Sequence, residues 1–234
     1  MPSPVLTNLD IPSLQTFLGV RADGRFGSES KAALLQRFTN IHANALTLAE
    51  IQLVATKLGV SAAVIRAVRS VEAPRGAFDS AGRPTALFEK HVFGRQTNYR
   101  WNTAYPDLSS THWQPGTYGP ASIQWDRIAN ACALNPKAAF EAASFGAFQV
   151  LGTNAVELGY ESAFHMALKL TESELAHLEC FEKFIIVNKL VDELRLCRAN
   201  SPSSCIPFVS KYNGSDYAKN NYHVKFAKAI ALYD

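Results

Sequence analysis

This sequence is short of the features that mark several large classes of protein. No apolar run approaches the roughly 18 residues that a membrane-spanning helix needs; the densest cluster, residues 184–187, is far shorter. The opening MPSPVLTNLD lacks both the basic and the apolar stretch of an export signal. The chain is therefore expected to be made in the cytosol and to reach an outside target only when something else releases it. It has 4 cysteines, with no CxxC spacing and no nearby histidine pair, which argues against a zinc site. In a reducing compartment they read as plain thiols, although Cys197 and Cys205 flank a loop and are able to pair once oxidised. Charge of one sign is scarce too. A formal net charge of +3, with no clustered Lys/Arg stripe, excludes a dedicated nucleic-acid binder, while leaving a mild attraction to anionic surfaces. There is no phosphate-binding loop, nucleophile–histidine pair, internal repeat or low-complexity tract, so no cofactor and no metal are expected.

What is present is an ordinary folding composition, 47% hydrophobic and 18% charged, over 234 residues. That length suits one sizeable domain plus a small one. Leu14, Phe17 and Leu18 form one short helical stripe, and Ala32, Ala33, Leu35 and Phe38 a second, separated by the turn ADGRFGSES with Ser28 placed to cap the second helix. TLAE at residues 47–50 is a capping box, and the helix it opens breaks at Gly59 and restarts at Ser61. In SAAVIRAVRSVE, Val64, Ala67, Val68 and Val71 share a face, leaving Glu72 at its edge where the helix gives way to a Gly- and Pro-rich loop. Residues 97–120 are aromatic, polar and without period; a loop of that length in a compact domain tends to be functional. Helical patterns follow at 122–143 and 153–160. A long helix is then expected from a second capping box, Thr171 to Glu174, with Leu175, Leu178, Phe181, Ile185 and Leu194 facing inward. The whole reads as mainly α.

One carboxyl has the setting for acid catalysis. At the margin of a buried stripe Glu72 loses water, which raises its pKa and holds it protonated near neutrality, the state a glycosidic-bond acid requires. Most glutamates near helix ends are simply solvated, so position alone does not decide the matter. Gln149, alone among the apolar residues of SFGAFQVLG, either lines a groove or is a buried, satisfied core glutamine.

Four ordered motifs carry a resemblance: VExxxGxF at 71–78, PTALFEKHVF at 84–93, SFGAFQVLG at 144–152 and KYNGSDYAKNNY at 211–222. Tyr118-Gly119 and SELAHLECFEKFI at 173–185 add to it. Together, over about residues 48–233, they resemble the catalytic domain of modular phage N-acetylmuramidases, and more distantly the goose-type lysozymes and lytic transglycosylases. Leu14-Gln15, Leu18-Gly19, Asp23-Gly24 and Phe26-Gly27 are similar to the small peptidoglycan-binding domain of cell-wall enzymes, over about 30 residues, with Ser30 replacing its usual threonine.

The resemblance implies a lysozyme-like α-helical catalytic domain with at most a small β-hairpin over residues 46–234, and a small helical peptidoglycan-binding domain over 1–45. It implies Glu72 as general acid and Glu89 as the leading second carboxylate, whose plainer reading is an ion pair with Arg83 or Lys90. Asp79 is a weaker candidate. Gln149, Ser144, Tyr118, Tyr212 and Asn213 would contact substrate, with Phe145 and Phe148 packed beneath or beside Gln149. Asp23, Gly24 and Phe26 would contact the wall. Pro74 and Arg75 stand where relatives carry smaller residues. Among Tyr99, Trp101, Tyr105, Trp113, Tyr118 and Trp125, one or two would stack on sugar, and His91 would be structural. The implied activity is hydrolysis of the β-1,4 bond between N-acetylmuramic acid and N-acetylglucosamine by a monomeric phage endolysin that waits in the host cytoplasm until lysis. The alternatives are a lytic transglycosylase and a non-catalytic wall-binding protein; a bacterial autolysin or secreted effector would share the activity.

Overall fold

The computed structural model describes residues 8–234. The first seven, which hold most of the stretch read above for an export signal, lie outside the described residues. α1 (Ile11–Leu18) and α2 (Ser28–Arg37) form the expected hairpin. Asp10 caps α1 by accepting from the Ser13 N–H, and Gly19 closes it in the left-handed conformation. Ser28 is the first residue of α2 and does not cap it; Gly27 takes the N-cap position. The hairpin is not a body apart. Leu14, Phe26, Leu34 and Phe38 belong to the same continuous core as the rest of the chain, and the Phe38 ring lies 4.7 Å from Trp125 and 5.4 Å from Phe140.

α3 (Leu48–Leu58) opens on the full Thr47/Glu50 capping box, and Gly59 at φ 68° turns the chain into α4 (Ala62–Glu72), bent by 108° from α3. No single described helix is long and apolar enough to cross a membrane. β1 (Ala86–Phe88) leads into α5 (Lys90–Gln96), and after the aromatic loop come α6 (Gln124–Cys132) and α7 (Pro136–Glu141). β2 (Ala143–Phe145) and β3 (Val150–Leu151) then complete a three-stranded antiparallel sheet in the order β1-β2-β3, with Ala86 opposite Phe145 and Ser144 opposite Leu151. The sheet has one strand more than the hairpin expected.

Residues 153–160 form no α-helix, only a 3-10 turn and loop. α8 (Ala163–Leu170) closes on Thr171, so that residue ends one helix instead of opening the next. α9 (Glu174–Val187) is capped by Ser173, whose hydroxyl accepts from the Ala176 N–H. The supposed capping box is displaced because Glu174 is already engaged: it pairs with Arg69 of α4 at 2.8 Å and accepts from the Leu46 N–H. Leu194 is buried as expected, but on the separate α10 (Val191–Leu196). α11 (Pro202–Tyr212) and α12 (Tyr222–Tyr233) finish the chain, with α12 lying along α4. All four cysteines are buried free thiols.

Candidate active site

The apolar face of α4 is locked against α12, and Arg69, one turn before its end, is tied to α9. The position of Glu72 at the helix terminus is thereby set from two sides. After Glu72 the chain folds back on itself: the Thr85 N–H donates to Ala77 O at 2.8 Å and its hydroxyl to Gly76 O at 2.8 Å. Asp79 organises that loop, accepting from the Ala81 and Arg83 N–H groups and pairing with the Arg83 guanidinium at 2.9 Å. It is spent as a turn-former, and Arg83 is spent on it.

Between this loop and the sheet lies a groove of about 560 Å³, lined by Glu72, Pro74, Arg75, Phe78, Ala121, Ser122 and Gln149 among others. Glu72 is half-buried at its edge. The protein packed round its carboxyl withholds water and raises the pKa from 4.5 to about 7, against the opposing pull of Asn213, whose Nδ2 donates to Oε1 at 2.7 Å. Asn213 therefore touches the acid directly. Tyr212, expected to contact sugar, instead donates its hydroxyl to the Phe148 carbonyl at 2.6 Å and stacks on Phe208. Its proton is committed to the turn that carries Gln149.

That turn, residues 146–149 between β2 and β3, answers the question posed by the lone glutamine. Gln149 sits at φ 49°, a left-handed conformation costly for a residue with a side chain. Its Nε2 donates to Gly146 O at 2.8 Å and Thr85 O at 3.2 Å, and its Oε1 accepts from the Ser144 hydroxyl at 3.0 Å. Both readings hold in part: the amide lines the groove, yet both donor hydrogens are used internally. What it offers a ligand is the second lone pair of Oε1. Ser144 is buried and serves that amide. Phe145 and Phe148 are buried below, Phe148 stacked on Phe181 at 4.5 Å.

Glu89 stands apart from the residues that line this groove. It is the N-cap residue of α5, with His91 Nδ1 3.5 Å from its Oε2, an oxygen that is buried without a hydrogen-bond partner. Burial raises its pKa, and the Tyr118 hydroxyl beside it lowers it in part. Neither expected ion-pair partner is present, since Arg83 is held by Asp79 and Lys90 donates to Pro106 O. Tyr118, whose hydroxyl is 3.3 Å from His91 Nδ1, is a member of this second cluster. Tyr222 lies near both: burial first, and then the neighbouring Glu72 and Glu89 carboxyls, raise its pKa, and it borders the small cavity behind Glu72.

Of the aromatics, Trp125 is buried with its Nε1–H on Pro84 O at 2.8 Å and is not available to sugar. Tyr99, Tyr105 and Trp113 are exposed. In the N-terminal turn, Phe26 is buried in the core, and the Asp23 carboxylate and Gly24 N–H bind Gln15. All three help to build this turn; Phe26 turns inward, while Asp23 and Gly24 stay exposed at the surface. Sequence reasoning passed over His177. Its Nε2 lies 2.6 Å from Leu170 O, and its Nδ1 accepts from the Ala147 N–H at 3.0 Å, so the neutral ring clamps the Gln149 turn. Burial holds its pKa down to about 4. The only signal in the sequence was a histidine within an otherwise apolar helix face.

A helical body, a small antiparallel sheet and a carboxyl whose pKa is raised to about 7 beside a groove define a lysozyme-like glycoside hydrolase. The family model for N-acetylmuramidase matches residues 61–234, and the chain belongs to that family. Its structure is similar to the crystal structure of Burkholderia AP3 phage endolysin, with a TM-score of 0.70 and 28% identity over 95% of this chain and 94% of that one. The endolysin of Enterobacteria phage PRD1 is 26% identical over 112 residues, 47% of this chain and 73% of its own length. Degradation of peptidoglycan is accordingly its chemistry.

Proposed function

We propose that this muramidase acts as an endolysin, hydrolysing the β-1,4 bond between N-acetylmuramic acid and N-acetylglucosamine with Glu72 as general acid. The observation that carries the reading is the carboxyl itself: at the end of α4, on a groove wide enough for sugar rings, with a pKa of about 7. In that state it can give its proton to the glycosidic oxygen as the bond breaks, and Asn213 then stabilises the carboxylate left behind. Oε1 of Gln149 would accept from a sugar hydroxyl or acetamido N–H. Glu89, backed by Tyr118 and His91, is the second carboxylate of the proposal, positioning the attacking water. The enzyme would work as a monomer on glycan strands, without cofactor, reaching the wall from the host cytoplasm at lysis. Residues 1–45 would serve wall recognition and 46–234 catalysis.

The placing of Glu89 outside the Glu72 groove favours one alternative, a lytic transglycosylase that needs a single acid and lets a sugar hydroxyl replace water. Mass spectrometry of digested peptidoglycan separates them. Reducing-end muramic acid from the wild type and not from Glu72→Gln supports the hydrolase; 1,6-anhydro products support the alternative; equal digestion by both proteins rules out Glu72 as the acid.

A further inference from the structure

A second depression, about 480 Å³, lies between the N-terminal hairpin and α8, lined by Arg37, Thr39, Asn40, His165, Lys169 and Glu172 among others. It is polar and holds both signs of charge. Lys169 pairs with Glu172 at 2.9 Å, and His165 lies 3.8 Å from Glu161. Arg37 makes no ion pair among the described residues; its guanidinium rests over the Phe17 ring at 5.4 Å with its donors free. Only one turn of chain separates this depression from the Glu72 groove. Asn40, on its border, donates its N–H to Gly82 O at 2.9 Å and its side-chain amide to Thr171 O at 2.8 Å. Gly82 belongs to the 79–83 turn that walls the groove. The approach there is close enough that a Cβ on Gly82 would meet the Asn40 backbone at 3.0 Å, and the glycine is held at φ +78°.

We infer that this depression is a subsite for the zwitterionic peptide carried by the muramic sugar. The inference rests on the reading that the groove holds the glycan. A sugar seated there would project its peptide away from the reacting bond. The neighbouring surface presents a guanidinium without an ion-pair partner among the described residues for a carboxylate, and the Glu161 carboxylate for an amine, Glu172 being held by Lys169. Arg37 would then be the means by which the N-terminal hairpin takes part in wall recognition, in place of the turn residues that fold it. A neutral sugar has no use for an unpaired cation at this position, whereas a peptide with free carboxylates does.

The test has a binding arm and a kinetic arm. Backbone amide shifts of the full chain are followed while the free stem tetrapeptide is added, to wild type and to Arg37→Gln. Shifts confined to residues around Thr39, Asn40 and Lys169, with affinity about fivefold weaker in Arg37→Gln, are expected. In parallel, KM is measured on intact peptidoglycan and on glycan strands stripped of peptide. Arg37→Gln, exposed and not among the residues that line the Glu72 groove, should raise KM on the intact wall alone, with kcat unchanged. Shifts elsewhere, or a KM change equal on both substrates, or none, would overturn the subsite. The binding arm involves no cleavage, so an inactive wild type would count against the reading of the Glu72 groove and leave the subsite to be decided by the shifts.

Discussion

Glu72 should weaken the fold in the pH range where it is held ready as an acid, and replacing it with glutamine should strengthen the protein there. The folded protein holds this proton up to a pKa of about 7, while the unfolded chain releases it near 4.5. Below 4.5 both states are protonated and the group makes no difference. Between the two values the unfolded state ionises and the folded state does not, so stability falls as pH rises, and the loss is complete above about 7. For a carboxyl wholly removed from water, this difference corresponds to about 3.4 kcal/mol. Glu72 is half-buried at a groove edge, and solvent there reduces the expected cost to about 2 kcal/mol. Glutamine keeps the shape and still accepts from Asn213 Nδ2, so Glu72→Gln removes the ionisation alone. Urea unfolding of both proteins from pH 4 to 8.5 should give curves that coincide at the acid end and diverge between about 5 and 7. Contributions common to both, such as that of His177, cancel in the difference. Parallel curves, or a glutamine variant less stable at pH 8, would refute the view that burial and not a charge partner sets this group.

The same proton governs rate: activity on cell-wall substrate should decline as pH rises through about 7, and Glu72→Gln should lose on the order of 10²–10⁴ in kcat. Asn213→Ala removes the one hydrogen bond that lowers the Glu72 pKa, so the alkaline limb of the pH–rate profile should move up by roughly one pH unit; a shift toward acid would contradict the geometry. His177→Phe strands the Ala147 N–H and the Leu170 carbonyl, costing about 3 kcal/mol and lowering Tm by roughly 10 °C; an unchanged Tm would show that the Gln149 turn stands without its clamp. Phe26→Ala should destabilise by about 3 kcal/mol and leave wall affinity below Tm intact; selective loss of wall binding at full stability would restore its role as a contact.

What could be read from the sequence follows from how local the cause is. Capping at Thr47, the break at Gly59 and the terminus at Glu72 depend on neighbouring residues, and each lies where the pattern places it. Thr171–Glu174 failed as a cap because Glu174 answers to Arg69, more than a hundred residues away, a demand no local window contains. The burial of Phe26 has the same distant cause. A phenylalanine in a glycine-rich turn has the look of an exposed contact until Trp125 and Phe140 are brought against Phe38 of the hairpin and one core encloses them all. Gln149 was legible as unusual and illegible in role, since its partners at Thr85 and Gly146 are backbone carbonyls, which carry no identity in a sequence.

The groove and the cluster beside it carry several local costs. In the groove Glu72 sits half-buried with no cation paired to it among the described residues and Gln149 is held left-handed, and in the neighbouring cluster Glu89 leaves an oxygen without a partner. Elements far apart in the chain converge to hold them: Arg69 with Glu174, Tyr212 with the Phe148 carbonyl, His177 with the Ala147 N–H, Trp125 with the Pro84 carbonyl. None of these four interactions reaches the groove's open space, yet each fixes a segment that does. A sheet of three short strands would be too small to impose such positions by itself. The helices packed round it supply the rigidity, and the N-terminal hairpin contributes through Phe38 against Trp125. Truncation at residue 45 would therefore strip one side of Trp125 and loosen the Pro84–Thr85 segment on which Gln149 rests. It is expected to impair catalysis on soluble glycan as well as attachment to intact wall, and full activity of the truncated protein on soluble substrate would refute that coupling.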